Sequence, residues 1–329
     1  MVKKIALGTL KVLGIILALI LIIYGILTAV RYISLGEFYS TATSKVNMPA
    51  LAEGFIPQGL DKYGDGFLMS GYMQDKSASR LYYVTEDGRA DRIDLKKANG
   101  SDFTGHAGGV AHAGDYIYVG GSKGLYVFGL EDALDGDGEA KQIGFFPVGL
   151  NAAWVQVAGD YIYCGSFWDE PDYTTDEWQH ITTPSGDKNN SMILIFSLDG
   201  EAELGIKEGA LAAISTEWRV QGAILTEDYA VLSTSLGLNT SVFYFHKIDY
   251  SYSGTVKVGG EGEDIPLYYL DSKTLTYKLT SIPMAEEIVL HNGRIYVSNE
   301  SASTKYIFGN LNEGYKFYSF EVKDEYLGK

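Results

Sequence analysis

Cysteine is almost missing from this chain of 329 residues: Cys164 stands alone, so no disulfide framework can form within one chain and the fold rests on packing. Proline is scarce as well, at 7 residues against 39 glycines, a balance suited to many short strands joined by tight turns, because glycine supplies the positive φ that such turns need. Positive charge is in short supply: 26 Lys and Arg face 42 Asp and Glu, a net charge of -16. A surface of that sign repels polyanions, so no nucleic acid is expected as a partner; the acidity itself keeps a domain soluble. The 5 histidines include no H-E-x-x-H pair, which leaves no zinc signature.

Long apolar runs are lacking too, with one exception. Val12 to Val30, VLGIILALILIIYGILTAV, carries no charge, and a helix of that length spans the roughly 30 Å of a bilayer core. Lys3, Lys4 and Lys11 precede it and Arg31 follows closely, so the positive-inside rule predicts a cytoplasmic N-terminus over 1–11, an anchor over 12–30 embedded in the lipid bilayer, and an extracytoplasmic remainder. A cleaved signal peptide is the rival reading; its apolar region is usually shorter and ends in a small-x-small site, and no clean site follows here.

What the rest of the chain has in abundance is one repeated stretch. GDYIYVG at Gly114 returns as GDYIYCG at Gly159, with looser copies at Gly64 (GDGFLMS), Glu227 (EDYAVLS) and Asn292 (NGRIYVS). Each is a polar turn followed by a β-forming run, and each is preceded by another short apolar run, beginning near Gln58, Gly108, Trp154, Gln221 and Glu286. Each unit therefore reads as a β-hairpin. The turns recur about every 45 to 70 residues, near the period of propeller blades with two units lengthened by insertions. One hairpin cannot bury its own faces, so the recurrence predicts an all-β domain: a five-bladed β-propeller over 57–329, with a six-bladed alternative, preceded by one transmembrane helix. The segment 31–56 is a linker holding a candidate ring-closing strand, Tyr39 to Val46, because the fifth unit lacks an outer strand.

Over about residues 36 to 329 the chain thus resembles the broad family of blade-repeat β-propeller proteins, including extracytoplasmic, membrane-anchored ones, on the residues GDYIYVG, GDYIYCG and the QGL and QGA pairs before their turns. That resemblance implies a fold and no particular chemistry, since propellers host lactonases, lyases, sialidases, cofactor enzymes and plain binding modules.

Antiparallel pairing still locates a site. The start of each first strand lies beside the end of the second, so one face collects Gln58, His106, Trp154, Gln221, Glu286 and Glu287 with Asn299 and the loop carrying Trp168 and Trp178. These are the expected ligand-binding residues. A mouth of polar groups and aromatics is the default pocket, and the expected ligand is a small molecule, glycan or protein, bound without catalysis. An enzyme of lactonase, esterase or lyase type is the alternative, with His106 and Glu286 as acid and base, because an imidazole near a carboxylate titrates close to neutral pH. Calcium held by Glu286 and nearby carbonyls belongs to that alternative; otherwise no cofactor is expected. A structural subunit of an envelope complex is the third reading. Gly120 to Gly124 matches G-x-S-x-G, but it joins two strands where a nucleophile elbow needs a strand and a helix. Asp132, Asp135, Asp137 and Glu139 are spaced like calcium ligands without the full loop and read as a solvated turn.

Overall fold

The computed structural model describes residues 2–306 and 309–329, with side chains from residue 11 onward. Lys3 and Lys4, on which the orientation reading leans, therefore have side chains outside the described set. A helix runs over Val2–Ser34, and its stretch Lys11–Ser34 is 24 residues long and apolar enough to cross a membrane, with none of its apolar window buried in the rest of the protein. It also lies where a signal sequence would.

Beyond it the strands sort into five four-stranded antiparallel units. The first strands are Phe55–Tyr63, Val110–Ala113, Trp154–Ala158, Val220–Leu225 and Ala285–His291, and each pairs with a second: Gly66–Met73, Tyr116–Gly121, Tyr161–Gly165, Tyr229–Thr234 and Arg294–Asn299. Gly114 and Gly159, the turn residues of the two closest repeats, take φ of 54° and 58°, which glycine adopts without steric cost. The first strands neighbour one another in a closed cycle, first to second to third to fourth to fifth and back to the first. The chain is a β-propeller.

Strand alternation explains why the repeats need each other. In Tyr116–Gly121, Ile117 and Val119 pack toward the first unit with Leu68, Leu81 and Ile93, while Tyr118 packs toward the third with Val155, Ile162 and Cys164. Successive side chains point to opposite faces, so every unit fills two cores, and a buried cluster lies between each pair of neighbours around the ring. Cys164 is a fully buried member of one of them, and burial pushes its thiol far above the usual range.

The ring closes with the N-terminal segment. Ala42–Thr43 supplies the outer strand of the fifth unit, pairing antiparallel with Phe320 and Ser319 on its third strand, Tyr318–Glu321. Tyr39 to Thr41, expected in that strand, instead end the short helix Gly36–Thr41, which buries Phe38 against Tyr318 and Phe320. The extra strands of the fourth unit, Ser253–Lys257 and Asp264–Tyr269, form a hairpin. It attaches in parallel to the outer strand of the third unit, Ala212–Thr216, giving a six-stranded sheet. They widen a neighbour and build no sixth unit among the described residues. In the acidic turn, Asp135 and Asp137 each accept a backbone N–H two residues on, and Asp132 accepts that of Lys141, so these carboxylates are spent on the turn.

Candidate functional site

The first strands converge on the axis, and three of them break register there: between Pro57 and Leu60, between Val220 and Gly222, and between Ala285 and Ile288. A β-bulge re-aims side chains, and the residues inside these irregularities are Gln58, Gln221, Glu286 and Glu287. The glycine beside each Gln has a steric reason. A Cβ on Gly59 would stand 2.5 Å from the Val110 nitrogen, and one on Gly222 would stand 2.6 Å from Glu287 Cα. The repeated QG pair thus places an amide in the mouth and a bare backbone against the next unit.

Glu287 points the other way, into the ring. Its carboxylate accepts the backbone N–H groups of Leu60 at 2.6 Å, Val110 at 2.9 Å and Val155 at 3.0 Å, tying the fifth unit to the first three. Burial pushes its pKa up, and those three donors pull against that shift. It is an axial staple and not a lining residue, which corrects the expectation for this position.

Glu286 does face the mouth. It is buried and receives a long contact of 3.4 Å from the Gln221 amide. Across from it stands Glu300, in the loop after the last second strand, holding the Gln58 amide at 2.9 Å. Burial drives both carboxyls up: Glu286 rises well above the ordinary range, helped by the Glu300 charge, and Glu300 rises to about 7 although Lys305, Tyr306 and Gln58 counter the shift. Lys305 donates to the Tyr72 hydroxyl at 2.7 Å. His106 stacks on Tyr72 with ring centroids 4.6 Å apart; one face stays open, but the crowding walls and the Lys305 ammonium disfavour its cation and hold it at about 4. Its partner is thus a phenol ring and not a carboxylate, which corrects the pairing of His106 with Glu286 as acid and base.

The cavity these groups line has a volume of about 590 Å³, and Phe167, Asp172, Tyr173 and Thr174 of the long third-unit insertion close one side. The insertion's tryptophans lie elsewhere, contrary to expectation. Trp178 packs against the core between the second and third units, and Trp168 lines a separate pocket off the axis. Trp154 is fully buried between the third and fourth units, because the strand alternation that sends Val155 to one neighbour sends it to the other. Asn299 is also buried; its side chain accepts from Ser301 and donates to the Pro283 carbonyl, building the turn that carries Glu300. Glu300, one residue beyond Asn299, is the acid that reaches the mouth, and nothing in the sequence marks Lys305 or Tyr306 beyond their place in the same loop. Among the described residues no group of three or more His, Cys, Asp or Glu is placed to hold a metal.

No family model matches the chain, and no curated protein matches it in sequence. Solved structures similar to it include an exo-β-1,3-galactanase from Phanerochaete chrysosporium, at 12% identity and a TM-score of 0.39 over 80% of this chain and 69% of that one. A GH43 endo-arabinanase from Bacillus licheniformis gives 12% and 0.42 over 83% and 95%, and BamB from Moraxella catarrhalis 9% and 0.33 over 86% and 98%. At such identities and scores these likenesses transfer no activity; the propeller class rests on this chain's own closed cycle of strands.

Proposed function

We propose that this is a membrane-tethered, extracytoplasmic propeller whose mouth binds a small polyhydroxylated molecule of the glycan class. The observation that carries the reading is the Glu286–Glu300 pair. Two carboxyls, Glu286 buried and Glu300 half-buried, that both resist ionisation offer hydroxyl groups a protonated donor beside an acceptor. The Gln58 and Gln221 amides and the Tyr72 and Tyr173 rings complete a lining of the kind that orients a polar ligand. The uncharged run 12–30 supports the bilayer as the other partner, with the acidic domain beyond it outside the cytoplasm. A polar mouth favours a ligand site over a purely structural subunit.

The same pair supports a second reading, hydrolysis, because carboxyls whose environments separate their proton affinities are suited to serve as acid and base. Glu286 would give the proton and Glu300 would accept one. A panel of 4-nitrophenyl glycosides tests both. The binding reading expects saturable binding that weakens about tenfold or more in Glu300→Gln with no nitrophenol released. Release that disappears in Glu286→Gln and Glu300→Gln makes it an enzyme. Absence of binding and of release across the panel sinks both.

A further inference from the structure

A second cavity, of about 380 Å³, opens between the third and fourth units away from the axis. At its floor lie two polar atoms with nothing to bond. Glu217 Oε1 and His246 Nε2 are both buried and without hydrogen-bond partners, and they stand 4.0 Å apart. That separation is too long for a hydrogen bond between them, yet a single oxygen can lie within reach of both. His246 is held in place by Thr274 Oγ1 at 3.0 Å from its other ring nitrogen, and its side chain is only 3% exposed. Leaving such groups unbonded is costly, so the floor suits an occupant that donates and accepts at one atom, as a hydroxyl does.

The walls narrow the choice. Trp168 and Trp218 approach with centroids 6.5 Å apart, inclined at 38°, and Trp218 is 47% exposed. A large exposed ring, flanked by a half-buried one, beside a polar floor marks a binding surface. Asp187, Asp271 and Glu217 disfavour an anion in this pocket. Lys188 and Lys278 line it as well and offset two of those three acids, while Arg219 beside it is paired with Asp169 at 2.6 Å, so the pocket carries little net charge to attract a cation. A neutral ligand with one apolar face and several hydroxyls meets all of these demands.

We propose that this pocket binds a neutral pyranose ring, stacked on Trp218 and Trp168 and placing one hydroxyl between Glu217 and His246. The site is separate from the mouth and does not depend on the reading given to it. The test uses the full chain labelled with 5-fluorotryptophan, in a detergent without a sugar headgroup, followed by fluorine NMR. The chain has 4 tryptophans, so Trp218 can be assigned by substitution, and it lies outside the mouth. Methyl glycosides of glucose, galactose and N-acetylglucosamine are one arm, and their linear tetrasaccharides are the other. The expected result is a saturable shift of the Trp218 resonance whose Kd rises at least tenfold in Glu217→Gln and in Trp168→Ala and is unchanged in Glu300→Gln. Response to the tetrasaccharides alone would mark a polymer's ring as the ligand; response to both arms marks a free or terminal sugar. The proposal falls if no probe moves that resonance, or if the titration is the same in Glu217→Gln and Trp168→Ala.

Discussion

Single carboxyls decide how this molecule holds together and what its mouth can do. Glu286 and Glu287 are adjacent in sequence, yet one faces the cavity and the other accepts three backbone N–H groups from three other strands. Without Glu287 each of those donors would be left buried and unpaired, at about 1–3 kcal/mol apiece. Glu300 makes the clearer pH prediction. Its pKa is raised from 4.5 to about 7, so the native state holds this proton more tightly than the unfolded chain. The stability it contributes is fully present below about 4.5 and is lost as pH rises through about 7. Urea midpoints between those pH values should fall for the natural chain and fall less steeply for Glu300→Gln; equal slopes would contradict the burial argument.

At the scale of elements, the spacing of first strands around the axis depends on glycine. A Cβ on Gly109 would stand 2.4 Å from the Val155 nitrogen, against backbone that has no side chain to swing aside. Gly109→Ala should therefore push two units apart and lower stability by about 1–3 kcal/mol, read as a drop in thermal midpoint by circular dichroism. A midpoint unchanged from the natural chain would show that the ring relaxes without cost. Closure is the other element-scale device. Its short strand pair would be weak alone, but Leu35 and Phe38 are buried in the same cluster as Phe243 and Phe320, so the ring is latched by packing more than by hydrogen bonds.

At the scale of the whole molecule, the proposed anchor and topology, with the propeller outside the cytoplasm, can be checked by labelling. Ser101 is exposed and Cys164 is fully buried, so the lone natural thiol is silent toward reagents. A Ser101→Cys chain in intact cells should react with a membrane-impermeant maleimide, while the natural chain should not. Labelling that appears only after the membrane is broken would place the domain inside and overturn the proposed topology.

The sequence by itself determined the repeat, and with it the propeller: the turn pairs and alternating runs are local, and their period of about 45 to 70 residues is written along the chain. It determined the apolar helix in the same way. It also carried Gln58, Gln221 and Glu286 to the mouth, since the ends of antiparallel strands must meet. Only the tertiary structure decided which of two neighbouring acids faces the ligand, because a β-bulge shifts orientation without leaving a mark in composition. Only it showed that Trp154 turns into the core, that Glu300 crosses from a loop to meet Glu286, and that Glu217 and His246, 29 positions apart in the numbering, share a floor. Those pairings depend on how units pack around the axis, and no local pattern encodes a contact between residues that only the closed ring brings together.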